Sequence, residues 1–104
     1  SDGVTDIVRT PKSGSLVLIV HPNPFNPNTT IRISGEPGAR VRVAVYDVAG
    51  RRVRQFEDAI LANGSISMVW NGRDDGGRRV ASGTYFVRAS TPSSSRISKL
   101  TLLK

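Results

Sequence analysis

The sequence predicts an all-β fold, an antiparallel β-sandwich of about seven short strands. Three observations lead there. Apolar residues recur with period two, most clearly in RVRVAVYD at 40–47, the mark of a strand with one buried face. Turn signals follow one another at roughly 8–12-residue spacing. No stretch carries a convincing helical period.

The elements follow in chain order. Residues 1–15, SDGVTDIVRTPKSGS, read as polar linker in which only Ile7 and Val8 have anything apolar to dock; the domain occupies 16–104. LVLIV, at 16–20, is a β-rich run that cannot hold a helix ahead of Pro22. HPNPFNPN then places prolines at 22, 24 and 27. Proline fixes φ and donates no hydrogen bond, so the expectation is an extended, unpaired crossover to the second strand. Asn23, Asn26 and Asn28 are placed to bond local backbone groups. Phe25, held between prolines, is expected to plug one end of the sandwich; a proline-rich docking site for a partner is the open alternative.

TTIRIS at 29–34 puts Ile31 and Ile33 on one face, and Glu36-Pro37-Gly38 is a turn. In RVRVAVYD, Val41, Val43 and Val45 point one way, and Arg40, Arg42, Ala44 and Tyr46 the other. Ala49-Gly50 turns the chain into RRVRQF, where Val53 and Phe56 resume the alternation to complete a hairpin. Residues 57–62 are ambiguous, and Asn63-Gly64 is a strong turn dipeptide. SISMVW places Ile66, Met68 and Trp70 together, and Trp70 is the natural core anchor. After the glycine-rich loop NGRDDGGRRVASG, TYFVRA sets Tyr85, Val87 and Ala89 against Phe86 and Arg88. TPSSS turns the chain into RISKLTLLK, a last strand with Ile97, Leu100 and Leu102 or Leu103 as its apolar residues and a period slip, hence a bulge, near Lys99.

Composition limits the function classes. With 104 residues there is one modest core. No cysteine is present, so neither a disulfide nor a thiolate metal site exists. The longest apolar run has five residues, far below the ~20 of a membrane-spanning helix. The start lacks a basic-then-apolar signal pattern; because it reads like linker, the expectation is a piece cut from the C-terminal end of a longer chain. Net charge is +7, from twelve arginines and three lysines against eight acids. Such a balance suits nucleic acid, acidic glycans or anionic lipid, although the arginines are dispersed as on a solvated surface.

Catalytic constellations are sparse, and the expectation is a non-enzymatic module without cofactor or metal. His21 is the lone histidine and has no Ser/Asp pairing nearby. Asp74 and Asp75 lie in a glycine-rich loop that lacks calcium-loop spacing, so capping of turn amides is the better reading. Glu57 and Asp58 are strand neighbours that point to opposite faces. VASGTY at 80–85 lacks nucleophile-elbow spacing; Gly83 permits a tight lead into the strand, with Tyr85 packed or bonded to backbone at a corner. One constellation remains, an arginine stripe of Arg32, Arg42 and Arg88 on outward faces, joined by Arg52 or Arg54. Three on one sheet would make a positive band for anionic surface polysaccharide or an acidic protein patch. Nucleic acid is not expected, because only Tyr46 and Phe86 accompany them as stacking aromatics.

Four blocks, HPNPFNPNTTIRI, VAVYDVAGRRVRQF, WNGRDDGGRRVASGTYFVRAS and KLTLLK, resemble in this order the immunoglobulin-like C-terminal modules of exported bacterial proteins. They are similar both to the immunoglobulin-like domain of the flagellar hook-capping protein and to the C-terminal sorting domains of the type IX (Por) secretion system. The resemblance implies an immunoglobulin-like sandwich at the end of a secreted or cell-surface protein. Its partners would be export or attachment machinery and the upstream domains of the same chain. It marks Gly83, Tyr85, Lys99, Leu100, Leu102, Leu103 and Lys104 as matches to the sorting pattern and so as partner-recognition candidates, while the WNGRDDGG loop fits the hook-cap subgroup. The expected function is to direct secretion or surface attachment through strand edges and the terminal segment. The alternative is a structural or adhesive module for subunit contacts or anionic glycan, with an open C-terminal edge available for strand addition.

Overall fold

A computed structural model describes residues 16–25 and 28–103. It contains eight strands: β1 (Leu16–His21), β2 (Thr29–Gly35), β3 (Arg40–Asp47), β4 (Arg52–Gln55), β5 (Ala59–Ile60), β6 (Ser65–Trp70), β7 (Gly83–Thr91) and β8 (Ser94–Leu102). They form two antiparallel sheets. One has three strands in the order β1-β2-β6; the other has five, in the order β4-β3-β7-β8 with β5 also pairing β3. The all-β sandwich expected from the sequence is therefore present. The ambiguous 57–62 stretch contributes the two-residue β5. The linker assigned to 1–15, the roles given to Asn26 and Pro27, and Lys104 lie outside the described residues.

Alternation dictates what faces inward. Ile31 and Ile33 from β2, Val41, Val43 and Val45 from β3, and Val87 and Ala89 from β7 are buried in one layer with Leu16, Leu61, Leu100 and Leu102. Each fully buried aliphatic side chain of this kind contributes about 1.5–3 kcal/mol. Trp70 is at the centre, fully buried, with the Phe25 ring centroid 5.3 Å away and the Tyr85 ring edge-on at 5.4 Å. Its indole N–H donates to the Arg73 carbonyl at 2.9 Å, so the largest core residue leaves no polar atom unpaired. Thr29, the one buried polar residue among those described, donates its hydroxyl to the Pro22 carbonyl at 2.8 Å.

Three expectations need correction. No bulge interrupts β8: its pairing with β7 runs without a shift from Gly83↔Leu102 to Thr91↔Ser94. The alternation is intact because Ile97, one of the apolar residues behind the expected period slip, faces solvent at 65% exposure. The register shift falls instead in β3, between Val45 and Tyr46 opposite β4. Finally, the proline-rich crossover is paired. The Phe25 amide donates to the Thr101 carbonyl at 2.9 Å, and the Leu103 amide donates to the Phe25 carbonyl at 3.0 Å. Its neighbour Asn23 donates its side-chain NH2 to the Lys99 carbonyl and accepts the Thr101 amide, each at 3.0 Å. The segment is a short strand surrogate laid along β8, and Phe25, 2% exposed, is the plug expected from its proline frame.

Candidate functional site

The described residues that match the sorting pattern come together, and three of them, Tyr85, Leu100 and Leu102, face inward. Gly83 pairs with Leu102, and Tyr85 with Leu100, across the β7–β8 ladder. Tyr85, Leu100 and Leu102 are buried in the core, whereas Lys99 and Leu103 are exposed. The Tyr85 hydroxyl donates to the Ala81 carbonyl at 2.6 Å, fixing the loop that leads into β7; this is the corner role expected for it. Burial, with the nearby Asp47 charge adding to it, raises the Tyr85 hydroxyl above its ordinary value of 10.0. Gly83 has a positive φ of 148°, a backbone conformation that side-chain-bearing residues rarely adopt.

The open C-terminal edge anticipated from sequence is not there. Asn23 and Phe25 occupy the β8 edge from Lys99 to Leu103. At this end of β8 the exposed side chains of the matched set are Lys99 and Leu103, and the Lys99 and Thr101 carbonyls and the Thr101 and Leu103 amides are already paired.

The opposite edge of the same sheet is closed as well. Asp75, from the WNGRDDGG loop, donates its amide to the Val53 carbonyl at 3.0 Å and accepts the Gln55 amide on its carboxylate at 2.9 Å. Asp74 accepts the Gly76 and Arg78 amides, each at 2.9 Å, which is the turn-capping role expected of this loop. Asp47 acts likewise at the hairpin: one carboxylate oxygen accepts the Ala49 and Arg51 amides at 2.9 Å, and the other accepts the Arg51 side chain at 3.1 Å. The Arg51 amide is the leading cause that holds Asp47 below its ordinary 3.8, against the opposing effect of burial.

The arginine stripe resolves into two unequal parts. Arg42 on β3 and Arg88 on β7 share the outer face of the five-stranded sheet, with Arg42 opposite Ser90 and Arg88 opposite Ala44. Arg32 pairs with Ile19 and Ser67 on the other sheet, so it does not join them. Neither do Arg52 and Arg54, which turn to the Asp75 carboxylate at 3.9 and 3.7 Å. Between Arg42 and Arg88 the small Ala44 leaves a depression of about 350 Å³, bordered by Tyr46, Gln55 and Ser90. A second depression of about 260 Å³ adjoins it, sharing Arg42 and Ser90 and adding Arg40, Thr91 and Pro92. Sequence reasoning missed Gln55, Ser90 and Thr91 here. Their only signal is cross-strand register, which no local pattern carries.

Two antiparallel sheets closed over a central tryptophan, with a corner tyrosine beside it, define an immunoglobulin-like β-sandwich domain. Among the described residues no helix is long and apolar enough to cross a membrane. The family model for the FlgD Ig-like domain matches residues 26–95, and the chain belongs to that family. No curated protein matches it. Among solved structures, dimeric latent PorU from Porphyromonas gingivalis superposes with a TM-score of 0.69 at 24% identity, over 85% of this chain and 9% of PorU. PorZ, an essential surface component of the type IX secretion system of the same organism, gives a TM-score of 0.62 at 28% identity, over 84% of this chain and 11% of PorZ. FlgD from Xanthomonas campestris, the hook-capping protein of flagellar assembly, gives 0.56 at 24% identity, over 86% of this chain and 67% of FlgD. The PorU and FlgD likenesses are of fold alone. The chain spans about a tenth of the PorU and PorZ chains.

Proposed function

We propose that this domain is a non-catalytic module that directs secretion or surface attachment of a larger exported protein, presented to the export machinery as a folded body. The observation that carries the reading is the likeness to PorZ, 28% identical over 84% of this chain while accounting for 11% of PorZ. The burial of Leu100 and Leu102 and the covered β8 edge support recognition of a folded surface. The docking residues in this reading are Lys99 and Leu103, the exposed members of the terminal set. Asp47, Asp74 and Asp75 are occupied in holding turns and edges, which supports a scaffold in place of a reaction centre.

The test fuses residues 16–104 to a periplasmic reporter in a host with the type IX machinery. Deleting 100–104 removes buried leucines and is expected to unfold the module, so it is paired with Lys99→Glu and Leu103→Glu, which leave the core intact. Export is expected to fall with the deletion and with the paired surface variants. Undiminished export of the surface variants would refute recognition at this end, and no export of the intact fusion would refute the sorting role.

A further inference from the structure

We propose that the two adjoining depressions on the outer face of the five-stranded sheet form one groove that binds an acidic polysaccharide. This deepens the surface-attachment part of the reading above and rests on it for its biological setting, but not for its chemistry.

Arg51, Arg52, Arg54 and Arg78 each have an aspartate within 4 Å among the described residues, at Asp47, Asp75, Asp75 and Asp74 respectively. Arg73 donates to the Gly77 carbonyl at 2.8 Å. These arginines hold loops. On the outer sheet face, Arg42 meets Asp58 at 3.5 Å, an exposed pair that, like the loop pairs at 3.7–3.9 Å, contributes little, so the charge left over in the groove rests chiefly on Arg40 and Arg88. Arg40 and Arg88 have no carboxylate partner among the described residues. Like charges on one sheet face oppose one another, and among the described residues no further ion pair or side-chain hydrogen bond holds these three guanidinium groups.

The surface between them is built of hydrogen-bonding groups. Ser90, Gln55 and Tyr46 border the first depression, and Ser90 and Thr91 the second. The two share Arg42 and Ser90, so a chain-like ligand can follow β3 from Arg40 to Tyr46, roughly 20 Å at strand rise. Guanidinium groups match carboxylates bidentately. The hydroxyls and the amide suit sugar hydroxyls, and Tyr46 offers a ring face for sugar C–H groups. A protein hot spot would need a desolvated apolar or aromatic pocket, which this polar groove is not. Single-stranded nucleic acid would need a row of stacking rings; Tyr46 and its cross-strand neighbour Phe86 are the only pair on this face.

The experiment titrates the 104-residue chain with polygalacturonate oligomers by calorimetry, with neutral dextran, polyglutamate and a single-stranded oligonucleotide as competitors. Saturable binding to polygalacturonate is expected, with none to dextran. The double change Arg42→Ser and Arg88→Ser should weaken it by at least about tenfold, with an unchanged circular dichroism spectrum. Arg32→Ser, which removes equal charge per site from the other sheet, should change it by less than about twofold. Absence of binding, equal loss with Arg32→Ser, or tighter binding of polyglutamate or the oligonucleotide would overturn the groove. Because the readout is binding in solution, a chain that exports its reporter normally yet ignores polygalacturonate refutes the groove and leaves the sorting reading standing.

Discussion

Each edge of the five-stranded sheet is covered by a loop, β8 over residues 99–103 and β4 at Val53 and Gln55, and each loop uses a different side-chain chemistry. At β8 the carboxamide of Asn23 both donates and accepts, so it substitutes for a complete peptide unit, and Phe25 continues the ladder with its own backbone. At β4 the carboxylate of Asp75 only accepts, so the donor has to be its own backbone N–H. The charge also attracts Arg52 and Arg54. A carboxamide can thus cap an edge without help, while a carboxylate needs a donor from the chain and brings cations with it. In the three-stranded sheet, by contrast, neither β1 nor β6 has a backbone partner beyond β2 among the described residues, and Val17, Ile19 and Val69 are exposed there.

Substitutions can break this comparison, beginning with the largest effect. Phe25→Ala removes both the plug against Trp70 and the weight that holds the crossover on β8. It should cost about 3–5 kcal/mol in urea unfolding and expose the Thr101 and Leu103 amides to hydrogen exchange ahead of the β3 amides. Asn23→Asp sharpens the contrast between the edges, because a carboxylate there faces the Lys99 carbonyl with no proton to offer. A loss of about 1–3 kcal/mol at neutral pH is expected, recovering in part when the aspartate is protonated in acid.

A smaller effect tests the corner beside the β8 pairing. Tyr85→Phe deletes the bond to Ala81 at a cost of about 1 kcal/mol. Because the folded-state value of Tyr85 is raised above 10.0, its contribution is complete below pH 10.0 and is lost as pH rises through the folded value. The wild type should therefore lose stability in alkali more steeply than Tyr85→Phe. The smallest effect belongs to Asp75→Asn, which keeps the acceptor for the Gln55 amide and surrenders only exposed ion pairs; under about 1 kcal/mol is expected, with a weaker dependence on salt.

What the sequence made legible was whatever a local period can encode. Val41, Val43 and Val45 announced β3 and its buried face, Trp70 the core, and proline-flanked Phe25 a rigid plug. Tyr85 at the corner and Asp74 in its turn followed from residue chemistry over four or five positions. Long-range choices were not legible. Alternation says that Arg32, Arg42 and Arg88 face outward but not on which sheet, and that depends on which strands pair. Asn23 was read as bonding its neighbours because nothing local tells of Lys99, 76 positions away. Ile97 makes the period of the last strand look broken because an apolar side chain argues for burial, whereas register places it opposite Arg88 on the outer face.

The ladder between Phe25 and Leu103 joins two segments of the domain that lie far apart in the sequence. Loop closure across so many residues makes such a contact slow to form and impossible before both ends are available. A chain in which β8 has not yet formed holds a rigid aromatic wedge with nowhere to seat it. Seating of Phe25 is in this sense a check that the first and last strands of the domain have come together, made by geometry alone.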